Sequence, residues 1–222
     1  MRTLAAISLG LALVVGAGCN KDNRAPANGS GASVGTAGRT DSSISNGDKD
    51  FVRDVAEMNM AEVELGRLAS ERGSGSDVKQ FAQMVVTDHT AAGDKLRAYA
   101  TQRNIDVPAE LDGKHRDLRD KLSAKQGLDF DRDFADAMVD DHQKLVDKLE
   151  SRIDKDTLTK AKVENKNAPD AQVKATAVSP EKSDDANTQA LNQWAADTYP
   201  TAYAHLQAAK ALRDGVKKRA TN

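Results

Sequence analysis

The chain has 222 residues, room for one domain with tails, and 30% of them are charged while only 4% are aromatic, a balance that suits long helices better than a sheet. Its 32 basic and 34 acidic residues are interspersed and leave a formal charge of −2. With no basic stripe and no aromatic platform, the composition argues against nucleic acid as a partner. Serine-nucleophile, P-loop and dinucleotide signatures are missing, so an enzyme is not the expected reading.

In chain order, residues 1–18 read as a signal peptide. Arg2 supplies a positive n-region, Leu4 to Val15 an apolar run, and Gly16, Ala17 and Gly18 the small residues ahead of Cys19. The run is too short to span a bilayer comfortably. The segment resembles a bacterial lipoprotein signal, which implies lipidation of Cys19 and a membrane anchor. Asn20 follows where aspartate would imply inner-membrane retention, so the resemblance favours the outer membrane, facing the periplasm; the alternative is a secreted periplasmic protein. Cys19 is the sole cysteine, and a lone thiol cannot staple an exported fold. Residues 19–47, rich in Gly, Ala, Ser, Asn and Thr, read as a flexible tether.

The folded part is expected over 48–216. Asp48 or Asp50 is available as an N-cap before Phe51, and helix one runs to Arg72, stopping at Gly73-Ser74-Gly75. Ser76 can cap helix two, which continues to about Arg103 and is broken by Asn104 to Pro108. A short helical piece follows over Gly113 to Ser123, ended by Gly127, and helix three spans Asp129 to Ile153. Residues 154–185 are polar and lysine-rich with Pro169 and Pro180, and read as a mobile insertion and long crossover holding one loose helical turn or more. Helix four runs from Ala186 to Val216 with a kink expected at Pro200, and a basic tail closes the chain at 217–222.

Two of these helices copy each other. Phe81-Ala82, Val86, Asp88-His89 and Asp94-Lys95-Leu96 return as Phe134-Ala135, Val139, Asp141-His142 and Asp147-Lys148-Leu149, each shifted by the same 53 positions. A second offset, 79, relates Asp50-Phe51 and Glu62 to Asp129-Phe130 and Asp141. At about 100° per residue, helix one has a stripe of Phe51, Val55, Met58, Leu65 and Ala69 with Glu62 in its middle. Helix two has Phe81, Val85, Ala92, Leu96 and Tyr99 around Asp88. Helix three has Phe130, Phe134, Met138, Leu145 and Leu149 around Asp141, and helix four has Trp194, Ala208 and Leu212 with His205 on their line. His89 and His142 fall about 60° off the stripe centre. Buried ionisable side chains have to meet each other, a water or a metal. By contrast, His115 reads as a solvated linker residue, and Met58, Met60, Met84 and Met138 as packing rather than copper ligands.

With Glu62-Val63-Glu64-Leu65-Gly66, Val78-Lys79-Gln80-Phe81-Ala82, Asp88-His89, Met138 to His142, and Pro200 with His205-Leu206, the chain resembles the exported bacterial domain-of-unknown-function family 4142 from about Asp48 to Asp214, outside the insertion. The resemblance implies an all-α, ferritin-like four-helix bundle in the cell envelope and no established reaction. Di-iron bundles of that type carry Glu-x-x-His pairs, and here Val86, Val139 and Ala202 stand three residues before the histidines. Two readings therefore remain. Glu62, Asp88, Asp141 and His205, with flanking His89 or His142, either form a polar network that sets helix register in a non-catalytic envelope protein with a binding or stress-related role, or hold a divalent iron, manganese or zinc ion in a metal-binding or metal-oxidising protein.

Overall fold

The computed structural model describes residues 43–165 and 176–221. The signal segment, Cys19 and most of the tether lie outside the described residues, as does the middle of the insertion. Among the described residues the protein is all-helical: α1 (Asn46–Arg72), α2 (Ser76–Gln102), α3 (Gly113–Ser123), α4 (Gly127–Glu150), α5 (Lys155–Asn165) and α6 (Ala186–Ala220). No helix among them is long and apolar enough to cross a membrane.

The four long helices pack α1 against α2, α2 against α6, α6 against α4 and α4 against α1, each burying the apolar stripe that its sequence lays along one side. Phe81 and Phe134, equivalent positions of the repeat, meet edge to face with ring centroids 6.3 Å apart, and Phe130 stacks on Phe134 at 6.1 Å. All three rings are buried, which contributes about 2 kcal/mol for each. Gly66 lets α1 and α2 approach: a Cβ there would stand 2.8 Å from Val86 Cγ2 and 3.1 Å from the Ala82 carbonyl oxygen.

The helix ends are held by residues other than those expected. Ser45, not Asp48 or Asp50, caps α1, its Oγ accepting the Asp48 N–H at 3.0 Å. Asp48 is buried and pairs with Arg152, while its Oδ2 accepts from Thr188 Oγ1 at 2.7 Å. This ties the start of α1 to the end of α4 and the start of α6. Ser76 makes no cap bond. Instead fully buried Asp131 reaches over from α4 to accept the Ser74 N–H at 2.9 Å, the Ser74 hydroxyl at 2.6 Å and the Gly75 N–H at 3.0 Å. A carboxylate there also meets the positive end of α2. Gly127 opens α4 at φ 59°, a conformation that glycine adopts without strain.

These ties show which connection traverses the molecule. The end of α2 lies by the start of α6, where the Tyr99 hydroxyl donates to the Asn187 carbonyl at 2.9 Å, yet α4 starts at the opposite end, by Ser74. The length is crossed by 103–126, with α3 lying along α1 and Arg72 Nη1 donating to the Ser123 carbonyl at 2.7 Å. The segment expected to be the crossover, 154–185, returns instead to the end that it left: Asp154 N–H donates to the Ser179 carbonyl and Glu181 N–H to the Arg152 carbonyl, both at 2.9 Å. It also carries α5, about three turns, within the expected one turn or more. Finally, α6 continues through Pro200 and takes in the basic end, where Arg219 pairs with Asp77 at 2.6 Å.

Candidate metal centre

Midway along the four long helices the apolar packing gives way to a closed polar layer. On α1, Asn59 and Glu62 are three residues apart and so share a face; His89 comes from α2, its repeat equivalent His142 from α4, and His205 from α6. All five residues are buried, and Glu62 and His142 have no exposed surface.

Each imidazole has an outer partner for one ring nitrogen. His89 Nδ1 lies 2.8 Å from Asn59 Oδ1, His142 Nδ1 lies 2.9 Å from the Met138 carbonyl oxygen, and His205 Nε2 lies 3.0 Å from Asp88 Oδ2. All three partners are acceptors, so those nitrogens carry the protons and the opposite nitrogens carry lone pairs: His89 Nε2, His142 Nε2 and His205 Nδ1. His89 Nε2 and His205 Nδ1 face each other at 3.2 Å, and two lone pairs repel at that distance unless a proton or a cation lies between them. His142 Nε2 is buried with no hydrogen-bond partner. The three histidines can each present a donor nitrogen within 4.8 Å of the others. Two nitrogens on a tetrahedral zinc stand about 3.3 Å apart, from Zn–N bonds of about 2.0–2.1 Å. The His89–His205 spacing matches that.

Glu62 lies on the proton-bearing side of the rings. Its Oε2 is 2.6 Å from His89 Nδ1 and its Oε1 is 3.2 Å from His142 Nδ1, but neither oxygen receives an aligned hydrogen bond, because those N–H groups point at Asn59 and Met138. Complete burial works to raise the Glu62 carboxyl, and the imidazoles of His142 and His89 outweigh it, holding it down at about 2. Burial and the neighbouring His89 and His142 push His205 down to about 4 against the pull of Asp88. Burial lowers His142 as well, despite the charge of Glu62. At neutral pH the layer therefore holds an ionised carboxylate beside at least two neutral imidazoles.

The structure brings Glu62, His89, His142 and His205 into one layer and leaves two of the other candidates outside it. The Asp88 side chain, 42% exposed, stands in the seam between α2 and α6 and touches the layer only through His205. Asp141 is buried but turned to Lys144, whose Nζ donates to its Oδ1 at 2.9 Å. His115 is not solvated as expected: α3 lays it against α1, where it is buried beside Asp112 and Glu57. Met138 is in the core and Met58 packs against it. Asn59 escaped the sequence reading, although its place one turn before Glu62 was the available signal. His89 is reached by grooves on both sides of α2, one of about 330 Å³ lined also by Asn59, Met60 and Gly93, the other of about 210 Å³ lined also by Asp88, Trp194 and Ala202.

The profile of a family described as a domain of unknown function (DUF4142) matches residues 34–180. It runs through the insertion rather than around it and stops before α6, so Glu62, His89 and His142 lie within the match and His205 beyond it. No curated protein and no solved structure matches the chain.

Proposed function

The chain belongs to the DUF4142 family of domains of unknown function, and from that premise we propose that it is a metal-binding protein of the cell envelope, with one divalent transition ion, zinc in the first instance, held by His89, His142 and His205. The observation that carries this reading is the common direction of the three rings, each with its proton engaged outward and its lone pair left for a shared point. Outer partners of this kind fix tautomer and ring orientation at metal sites. Asn59, Met138 and Asp88 would serve as those partners, and Glu62 would balance charge from behind His89 and His142. An all-imidazole inner set favours zinc over manganese, which prefers oxygen donors. Three protein ligands leave a fourth position for water or a small ligand, and a zinc ion there supplies Lewis acidity.

The rival reading, a metal-free polar network that sets helix register, is favoured by the 2.6 Å approach of Glu62 to His89, the geometry of an ion pair. Elemental analysis of protein purified without chelator separates the two. The metal reading expects at least one ion per chain, with one fewer in a His142→Gln variant; a metal-free protein whose melting temperature is unmoved by zinc would establish the network instead.

The same proposal takes in architecture and address. A ferritin-like four-helix bundle is supported by the single traversing connection, 103–126, which links parallel helices as one-crossover bundles do. A lipid anchor at Cys19 is supported by the apolar run before the sole cysteine. Cys19→Ala should release the protein from membranes, and an unmodified Cys19 in the mature wild-type protein would refute the anchor.

A further inference from the structure

A second group of donors lies about 140° around α1 from Glu62, at five residues' remove. Glu57 of α1, Asp112 before α3 and His115 in α3 each offer one donor atom, and the three atoms lie within 4.8 Å of one another. Part of this is ordinary capping: Asp112 Oδ1 accepts the His115 backbone N–H at 2.7 Å and its Nδ1–H at 2.8 Å. An ion that takes the place of the Nδ1 proton would meet Asp112 Oδ1 and, 3.5 Å from the same nitrogen, Glu57 Oε1, with the proton moved to His115 Nε2. Burial and the adjacent Asp112 raise the Glu57 carboxyl above its ordinary range, as expected for two carboxylates crowded together without enough positive charge.

An independent observation comes from α4. Asp141 lines the same cleft, of about 230 Å³, with its side chain 7% exposed, and its Oδ2 is buried without a hydrogen-bond partner. The lysines there do not answer it: Lys144 is on the other oxygen of Asp141, and Lys114 shares the cleft wall. Asp54, also in the wall, is paired with Lys148. We infer that the cleft between α1, α3 and α4 binds a divalent transition cation such as Zn²⁺ through Glu57, Asp112 and His115, with Asp141 in the cleft wall as a further negative charge nearby. One imidazole among carboxylates is a nitrogen-and-oxygen set that suits such an ion. The half-exposed carboxylate of Asp112 makes this a more open site than the three-histidine layer.

Equilibrium dialysis of the full chain against Zn²⁺ reads the two sites separately. Wild type is expected to bind two ions, Glu57→Gln and His115→Gln each to weaken one of them at least tenfold, and His142→Gln to weaken only the other. Because Glu57 is partly exposed and Gln keeps its shape, that variant retains the fold. Full wild-type binding of both ions in Glu57→Gln and His115→Gln would overturn the second site. So would a single bound ion that disappears in His142→Gln, an outcome that leaves the central site standing. A single ion lost in Glu57→Gln but kept in His142→Gln would uphold the second site and sink the central one.

Discussion

The buried charges at the two ends of the helices are saturated, and those in the middle are not. At one end Asp48 meets Arg152 and Thr188; at the other Asp131 takes three hydrogen bonds from Ser74 and Gly75. Neither carboxylate has an oxygen without a partner. In the central layer both oxygens of Glu62, His142 Nε2 and Asn59 Nδ2 lack aligned hydrogen bonds. Buried polar atoms are nearly always satisfied, and leaving one unmade costs about 1–3 kcal/mol. The end clusters thus have the economy of structural ties, whereas in the middle His142 Nε2 and the facing His89 and His205 nitrogens suit the ion proposed above.

The hardest blow to this contrast would come from the ends. Asp48→Ala strands the largely buried Arg152 guanidinium and should lower stability by about 3–5 kcal/mol, read by urea denaturation, with zinc affinity unchanged for the fraction that folds. A loss under 1 kcal/mol would show that the end tie is no more structural than the middle. In the central layer the gain should come from metal: zinc at a thousandfold excess over its Kd should stabilise wild type by about 4 kcal/mol, which a thermal melt reads as an increase of roughly 10 °C. His142→Gln should remove most of that increase; an undiminished increase would place the ion elsewhere.

A somewhat smaller effect follows from pH. Folding lowers His205 from 6.5 to about 4, so below about 6.5 the unfolded chain takes up a proton that the folded chain refuses. Metal-free protein should therefore lose about 3 kcal/mol between pH 6.5 and 4 from this group. Glu62, held down at about 2 from 4.5, extends the decline below pH 4.5. Flat stability from pH 7 to 4 would mean that the layer is already protonated. The smallest change is expected for Asp88→Asn, which keeps an acceptor for His205 on a partly exposed side chain: about 1 kcal/mol or less in the metal-free protein, yet a 10- to 100-fold loss of zinc affinity. Equal effects on stability and affinity would make Asp88 a structural residue only.

The apolar stripes were legible because helical periodicity is a property of the chain itself: Phe81 and Phe134 sit where the repeat puts them. The polar assignment on α2 was legible only to within one residue. Asp88 lies nearer the stripe centre, yet His89 is the side chain that turns inward, because α2 packs between α1 and α6 and buries a wider arc than one stripe. A long imidazole at the edge of that arc reaches the axis, and a short carboxylate at the seam reaches water. Asp131 and Asp48 were illegible for a different reason. Both are i,i+1 neighbours of ordinary surface positions, and their partners, Ser74 and Arg152, are brought to them only by how the helices are set end to end. His115 was misread because a charged stretch looks solvated until α3 is laid against α1.

The central layer draws two side chains from α1 and one each from α2, α4 and α6, and His89 and His205 are separated by 116 positions along the chain. In the order of synthesis, α1 and α2 bring Asn59, Glu62 and His89 with one inner nitrogen, α4 adds a second, and α6, the last of these four, adds the third. On the metal reading, an ion caught early would be held by one or two imidazoles and released readily, and only the layer completed by α6 would grip it with three. On the metal reading the layer would close as a latch when α6 docks, and the ion retained would be the one available there and then.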